Sequence, residues 1–165
     1  MKRYLAAFTL AVIACTVIAC TPPATTIDNG ETASSGVDSA IADVVTQAMP
    51  GVVIAGGQAD GAGEYEVTGT LNGQEYEFDL MGPDGGWRVV EIQRDIAWTQ
   101  APDEVRIAAA AAPNAFEPER VIESRQPQGG DGGVIYELFA PGQADAPAME
   151  IRFMDGEAAL MPPAH

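Results

Sequence analysis

Glu64-Tyr65-Glu66-Val67-Thr68-Gly69-Thr70-Leu71-Asn72-Gly73-Gln74-Glu75-Tyr76-Glu77-Phe78-Asp79-Leu80 is the stretch that decides the fold. Tyr65, Val67 and Leu71 alternate with Glu64, Glu66, Thr68 and Thr70. Tyr76, Phe78 and Leu80 likewise alternate with Glu75, Glu77 and Asp79. A period of two places the apolar set on one side of a strand and the acidic set on the other. Asn72-Gly73 between the two runs is a tight hairpin signal, since both residues tolerate the positive φ of a two-residue turn. The stretch predicts two antiparallel strands with an apolar underside and an acidic upper face.

Upstream, Ser39 to Met49 carries Ile41, Val44, Val45 and Ala48 at helical spacing, with Asp38 or Ser39 as cap and Pro50 as stop. Val52 to Ala55 reads as a short apolar strand. Downstream of the turn Pro83-Asp84-Gly85-Gly86, Trp87 to Trp98 reads as a longer strand whose alternation breaks near Val89-Val90, as a bulge requires. The order then returns. Asp103 to Ala112 predicts a short Ala-rich helix, Arg120 to Ser124 a strand, and Gly129 to Gly133 a turn. Val134 to Phe139, Ala148 to Met154 and Glu157 to Met161 predict three more strands, with Asp155-Gly156 turning the last pair. Ala48-Met49-Pro50 corresponds to Ala111-Ala112-Pro113, and Tyr65-Glu66-Val67 to Tyr136-Glu137-Leu138. The expected fold is α+β with two repeated units, each one helix packed on a four-stranded antiparallel sheet, over residues 38–100 and 101–162.

The helix that ends in proline, the Tyr-Glu-Val strand and the acidic strand Gly73-Gln74-Glu75-Tyr76-Glu77-Phe78-Asp79 resemble a PepSY-like unit. Such units are related in fold to the modules of beta-lactamase inhibitor proteins. The resemblance spans roughly Ser39 to Met161 and implies a non-enzymatic periplasmic module that binds or restrains proteins. The second half departs from it in the longer turn Pro141 to Pro147.

The chain begins with Lys2-Arg3, an apolar run from Tyr4 to Ala19, and Val17-Ile18-Ala19-Cys20 before the polar Thr21-Pro22-Pro23. This resembles a bacterial lipoprotein signal, which implies cleavage of residues 1–19 and lipid on Cys20. An uncleaved anchor and processing before Cys15 are the competing readings; the second leaves the apolar stub Thr16 to Ala19 on the mature chain. Thr21 in place of an aspartate resembles the sorting signal for the outer membrane. Residues 20–37, rich in Thr, Ser, Pro and Gly, read as a disordered tether.

Composition excludes much chemistry. The chain has 24 acidic residues against eight basic ones, and residues 1–19 hold its one lysine and one of its two cysteines. Its one histidine, His165, is the last residue, where a rigid catalytic imidazole is hard to hold. With Lys2 removed, a Schiff base or P-loop lacks its lysine, and zinc lacks its His and Cys ligands. No cofactor is expected. A net charge of −16 repels nucleic acid and suits a basic partner or divalent cations.

Two sets of residues are candidate sites. Glu64, Glu66, Glu75, Glu77 and Asp79 form the acidic face, with carboxylates on adjacent strands about 5 Å apart. A solvated sheet face gives the same pattern; the functional readings are a basic partner, calcium or a carboxylate pair for acid–base work. No Asp-x-Asp-x-Asp-Gly loop supports calcium. A glycosidase-like pair needs a cleft and one acid of raised pKa beside aromatics. The second set follows from Tyr136 and Leu138 facing the helix: Ile135, Glu137 and Phe139 then face away, beside Glu150 and Arg152. Apolar residues there point either to a partner or to contact with the first unit. Trp87 and Trp98 are core residues or partner anchors. The Gly-rich pieces Gly56 to Gly63 and Gly129 to Gly133 are read as hairpin loops.

The expected function is a lipid-anchored periplasmic binding module, not an enzyme, that binds or inhibits a protein or peptide and touches the membrane through Cys20. Alternatives are an accessory lipoprotein in outer-membrane assembly, and a cation binder or weak carboxylate enzyme using the acidic face.

Overall fold

The computed structural model describes residues 36–82, 86–127 and 131–162. Residues 1–35, which include the expected signal, Cys20 and most of the expected tether, lie outside the described residues, as do 83–85 and 128–130 of the expected turns and 163–165 with His165.

Helix α1, Ser39–Ala48, starts where Asp38 Oδ1 accepts from the Ala40 N–H at 2.8 Å, and Pro50 prevents its continuation. Strands β1 (Val53–Gly61), β2 (Glu64–Leu71), β3 (Gln74–Met81) and β4 (Arg88–Ile96) follow. After a 3-10 turn at Trp98–Gln100 comes helix α2, Asp103–Ala111, with Asp103 and Glu104 favourably placed at the positive end of its dipole. Strands β5 (Arg120–Arg125), β6 (Val134–Phe139), β7 (Met149–Met154) and β8 (Glu157–Leu160) complete the chain.

All eight strands form one antiparallel sheet in the order β1-β2-β3-β4-β5-β6-β7-β8. This overturns the expected pair of repeated units on separate four-stranded sheets. The reason lies in β4. It continues past the end of its pairing with β3 and joins β5 from Ile92↔Arg125 to Ile96↔Val121. Two separate sheets would each leave an edge of unpaired N–H and C=O groups there; pairing β4 with β5 satisfies both. The bulge expected near Val89-Val90 is present, since Asp79 pairs with Glu91 but Leu80 with Val89, leaving Val90 unpaired.

Both helices pack on the same side. Beneath α1, Ile41 and Val45 meet Val67, Phe78, Leu80, Val89 and Ile92, with Trp87 against their edge. Beneath α2, Val105 and Ala109 meet Val121, Tyr136, Leu138, Met149 and Ile151, with Trp98 alongside. The tryptophans are thus partly buried members of the two clusters.

Gly56 to Gly61, expected as loop, instead continues β1, and only Ala62-Gly63 turns. Gly57 is required there sterically. A Cβ would lie 2.6 Å from Tyr65 Cε1 and 2.8 Å from the Glu66 carbonyl oxygen, and backbone cannot yield.

Candidate functional site

Alternation along the strands sends a second set of side chains to the opposite face, on which no helix of the described residues packs. Three rows cross it. Glu66 pairs with Asp79, and Asp79 with Glu91, which lines up carboxyl groups on β2, β3 and β4. The next row runs Thr68, Glu77, Gln93, Ser124, Ile135 and Arg152. The third runs Asp95, Ile122, Glu137 and Glu150 from β4 to β7, and Arg120 faces Phe139 at its border.

The register therefore brings Ile135, Glu137, Phe139, Glu150 and Arg152 onto one surface with Glu66, Glu77 and Asp79. Glu64 and Glu75 lie on the same face at its margins, both exposed. The strands of the first half lie beside this surface in the same sheet rather than packing over it, so the unit-on-unit contact considered for Ile135 and Phe139 is absent. Phe139 is nonetheless only 5 % exposed, and the Arg120 guanidinium sits 5.2 Å from its ring centre.

Sequence reasoning missed the centre of this face. Ile122 and Ser124 are buried on it, and Ser124 Oγ donates a hydrogen bond to Glu91. The signal was present in Val121-Ile122, consecutive apolar residues in a strand, which mark a strand covered on both sides. Arg120 was missed as well. It binds Asp95 through Nε at 2.7 Å and Nη2 at 3.1 Å.

Cations do not balance these acids. Arg120 is engaged by Asp95 and Arg152 by Asp131. Burial, then the charges of Glu91, Glu77 and Glu66, push the Asp79 carboxyl up to about 6. Burial, then Glu91 and Glu150, push Glu137 up to about 7, against the opposing pull of Arg120. Burial and the neighbouring Glu66 also raise Glu77. Among the described residues, no three His, Cys, Asp or Glu side chains converge as a metal site.

The helix side holds a contrasting arrangement that the sequence did not reveal. Glu123, 6 % exposed, accepts from Arg94 Nη2 at 3.0 Å and Arg125 Nη2 at 2.8 Å between the two apolar clusters. Burial alone would raise its pKa, but the two guanidinium groups hold it below the usual carboxylate value. These acids and bases neutralise one another, whereas those of the helix-free face do not.

No family model and no curated protein matches the chain. Two solved structures resemble it. A DUF2874 family protein from Bacteroides uniformis is 16 % identical with a TM-score of 0.50, covering 75 % of this chain and 89 % of its own. A protein from Bacteroides eggerthii described as periplasmic is 20 % identical with a TM-score of 0.49, covering 73 % and 84 %. The likeness to the Bacteroides uniformis protein is one of fold.

Proposed function

We propose that this chain is a cell-envelope binding module, anchored by lipid on Cys20, whose helix-free sheet face holds a basic segment of a protein or peptide without catalysis. The observation that carries this reading is the crowding of carboxyl groups on that face, where Glu66, Asp79 and Glu91 line up on adjacent strands and Glu137 pairs with Glu150, while Arg120 and Arg152 are already engaged by Asp95 and Asp131. A docked cation supplies the missing counter-charge, and Ile135 gives its stem an apolar surface. The address rests on Lys2 to Cys20, and a binding role is also what the PepSY-like resemblance implies. The calcium reading has less support, since no trio of ligands converges among the described residues.

The test is fluorescence anisotropy of labelled Gly-Arg and Gly-Glu repeat peptides on the intact chain. The Gly-Arg peptide is expected to bind, and to weaken as salt rises, because surface charges are screened within about 8–10 Å near physiological ionic strength. The double variant Glu137→Lys with Glu150→Lys, checked for folding, is expected to lose binding. Equal binding of both peptides, or full binding by the folded variant, would contradict the proposal.

A further inference from the structure

We infer that the opening between β3 and β4 is a pocket for the guanidinium or ammonium group of an arginine or lysine side chain presented by the partner. This inference rests on the binding role proposed above and gives that role its anchor point.

The two strands pair only from Glu77↔Gln93 to Met81↔Arg88, yet β3 extends back to Gln74 and β4 forward to Ile96. Because β4 pairs with β5 through Ile96, its last residues are held to β5 and run past β3 unpaired. A cleft of about 450 Å³ opens at this splay. The Gln74 amide spans it, donating to the Glu75 carbonyl oxygen at 3.0 Å and to the Asp95 carbonyl oxygen at 3.3 Å.

The cleft holds two arginines, and both are committed. Arg94 is bound to Glu123 and Arg120 to Asp95. Glu75 and Glu77, also in its wall, form no ion pair among the described residues. Ile122 supplies apolar surface on the same face. Carboxylates that form no ion pair, at the end of a partly apolar cleft, match a cation carried on a methylene stem. An anion meets carboxylates and two occupied arginines. Burial and the neighbouring Glu66 raise the Glu77 pKa against the pull of Arg120.

The experiment titrates the full chain with an acetylated (Gly-Arg)3 amide and with its citrulline counterpart, which keeps the shape and removes the charge. The arginine peptide is expected to bind at least tenfold more tightly. Glu77→Gln is expected to weaken it about ten- to hundredfold, as loss of a charge-assisted hydrogen bond does. Glu77→Asp is expected to recover most of the binding, and Glu150→Gln, on the same face at β7, to weaken it less than threefold. Melting curves confirm that each variant is folded. Equal losses in Glu77→Gln and Glu150→Gln would overturn the pocket while leaving the acidic face as the binding surface. Equal binding of the citrulline peptide would overturn the cation as ligand. Absence of any binding by the unmutated chain would overturn both the pocket and the face.

Discussion

Leu138→Ala is expected to lower stability by about 2–5 kcal/mol and to do so throughout the sheet. Leu138 is fully buried beneath α2, among Val105, Ala109, Val121, Tyr136 and Ile151. Truncation removes buried methyl groups and leaves a cavity, and both terms destabilise. The helix above presents Ala108 and Ala109 toward this cluster, so it has little side-chain volume to collapse into the space. A loss of about 3–4 kcal/mol corresponds to roughly 10–15 °C in a domain of this size. The tryptophans report how far the loss spreads. Trp98 packs against the cluster containing Leu138, and Trp87 against the cluster beneath α1. In Trp87→Phe and Trp98→Phe backgrounds, Leu138→Ala is expected to shift both fluorescence melting midpoints by the same amount, because β4 and β5 join the halves into one sheet. A shift seen by Trp98 alone would mean that the halves melt independently.

The second large effect is on pH dependence. Asp79 rises from 3.8 to about 6 and Glu137 from 4.5 to about 7 on folding. Between these values the folded chain binds more protons than the unfolded chain, so this source of stability falls as pH rises. It is fullest below the unfolded values and is lost as pH passes 6 to 7. Each group is half in contact with solvent, which reduces the nominal value to about 1–2 kcal/mol apiece. Glu123 acts in the opposite sense: its lowered pKa contributes stability above 4.5 that is lost on acidification. Asp79→Asn with Glu137→Gln is expected to raise the melting temperature at pH 8 and to leave it nearly unchanged at pH 4.5. Denaturation at the two pH values checks this, and an equal gain at both would show that the carboxyls are not crowded in the folded sheet.

The strands and helices were legible because their apolar residues recur at the right period. Tyr65, Val67, Tyr76 and Phe78 mark the underside of the first hairpin, and Ile41 and Val45 the inner face of α1. The join between β4 and β5 was not legible. Periodicity shows which way side chains point along one strand, but not which strand pairs beyond it. The internal likeness of the two halves suggested separate sheets, whereas satisfying two bare edges favours one. The Gly-rich stretch of β1 misled for a related reason: Gly57 signals either a turn or a close approach of side chain and backbone, and Tyr65 decides for the latter. At the candidate site, the outward residues Ile135, Glu137 and Asp79 follow from alternation. Ser124, Glu91 and Arg120 do not, since their roles come from neighbours one and two strands away.

The most direct test of the binding face is nuclear magnetic resonance of the isotopically labelled chain during titration with the (Gly-Arg)3 peptide. Amide and side-chain shifts are expected to concentrate on Glu75, Glu77, Asp79, Ile122, Ser124, Ile135 and Glu137, across β3 to β6. Shifts confined to α1, α2 and the Arg94–Glu123–Arg125 cluster would place binding on the other side of the sheet and contradict the proposed function.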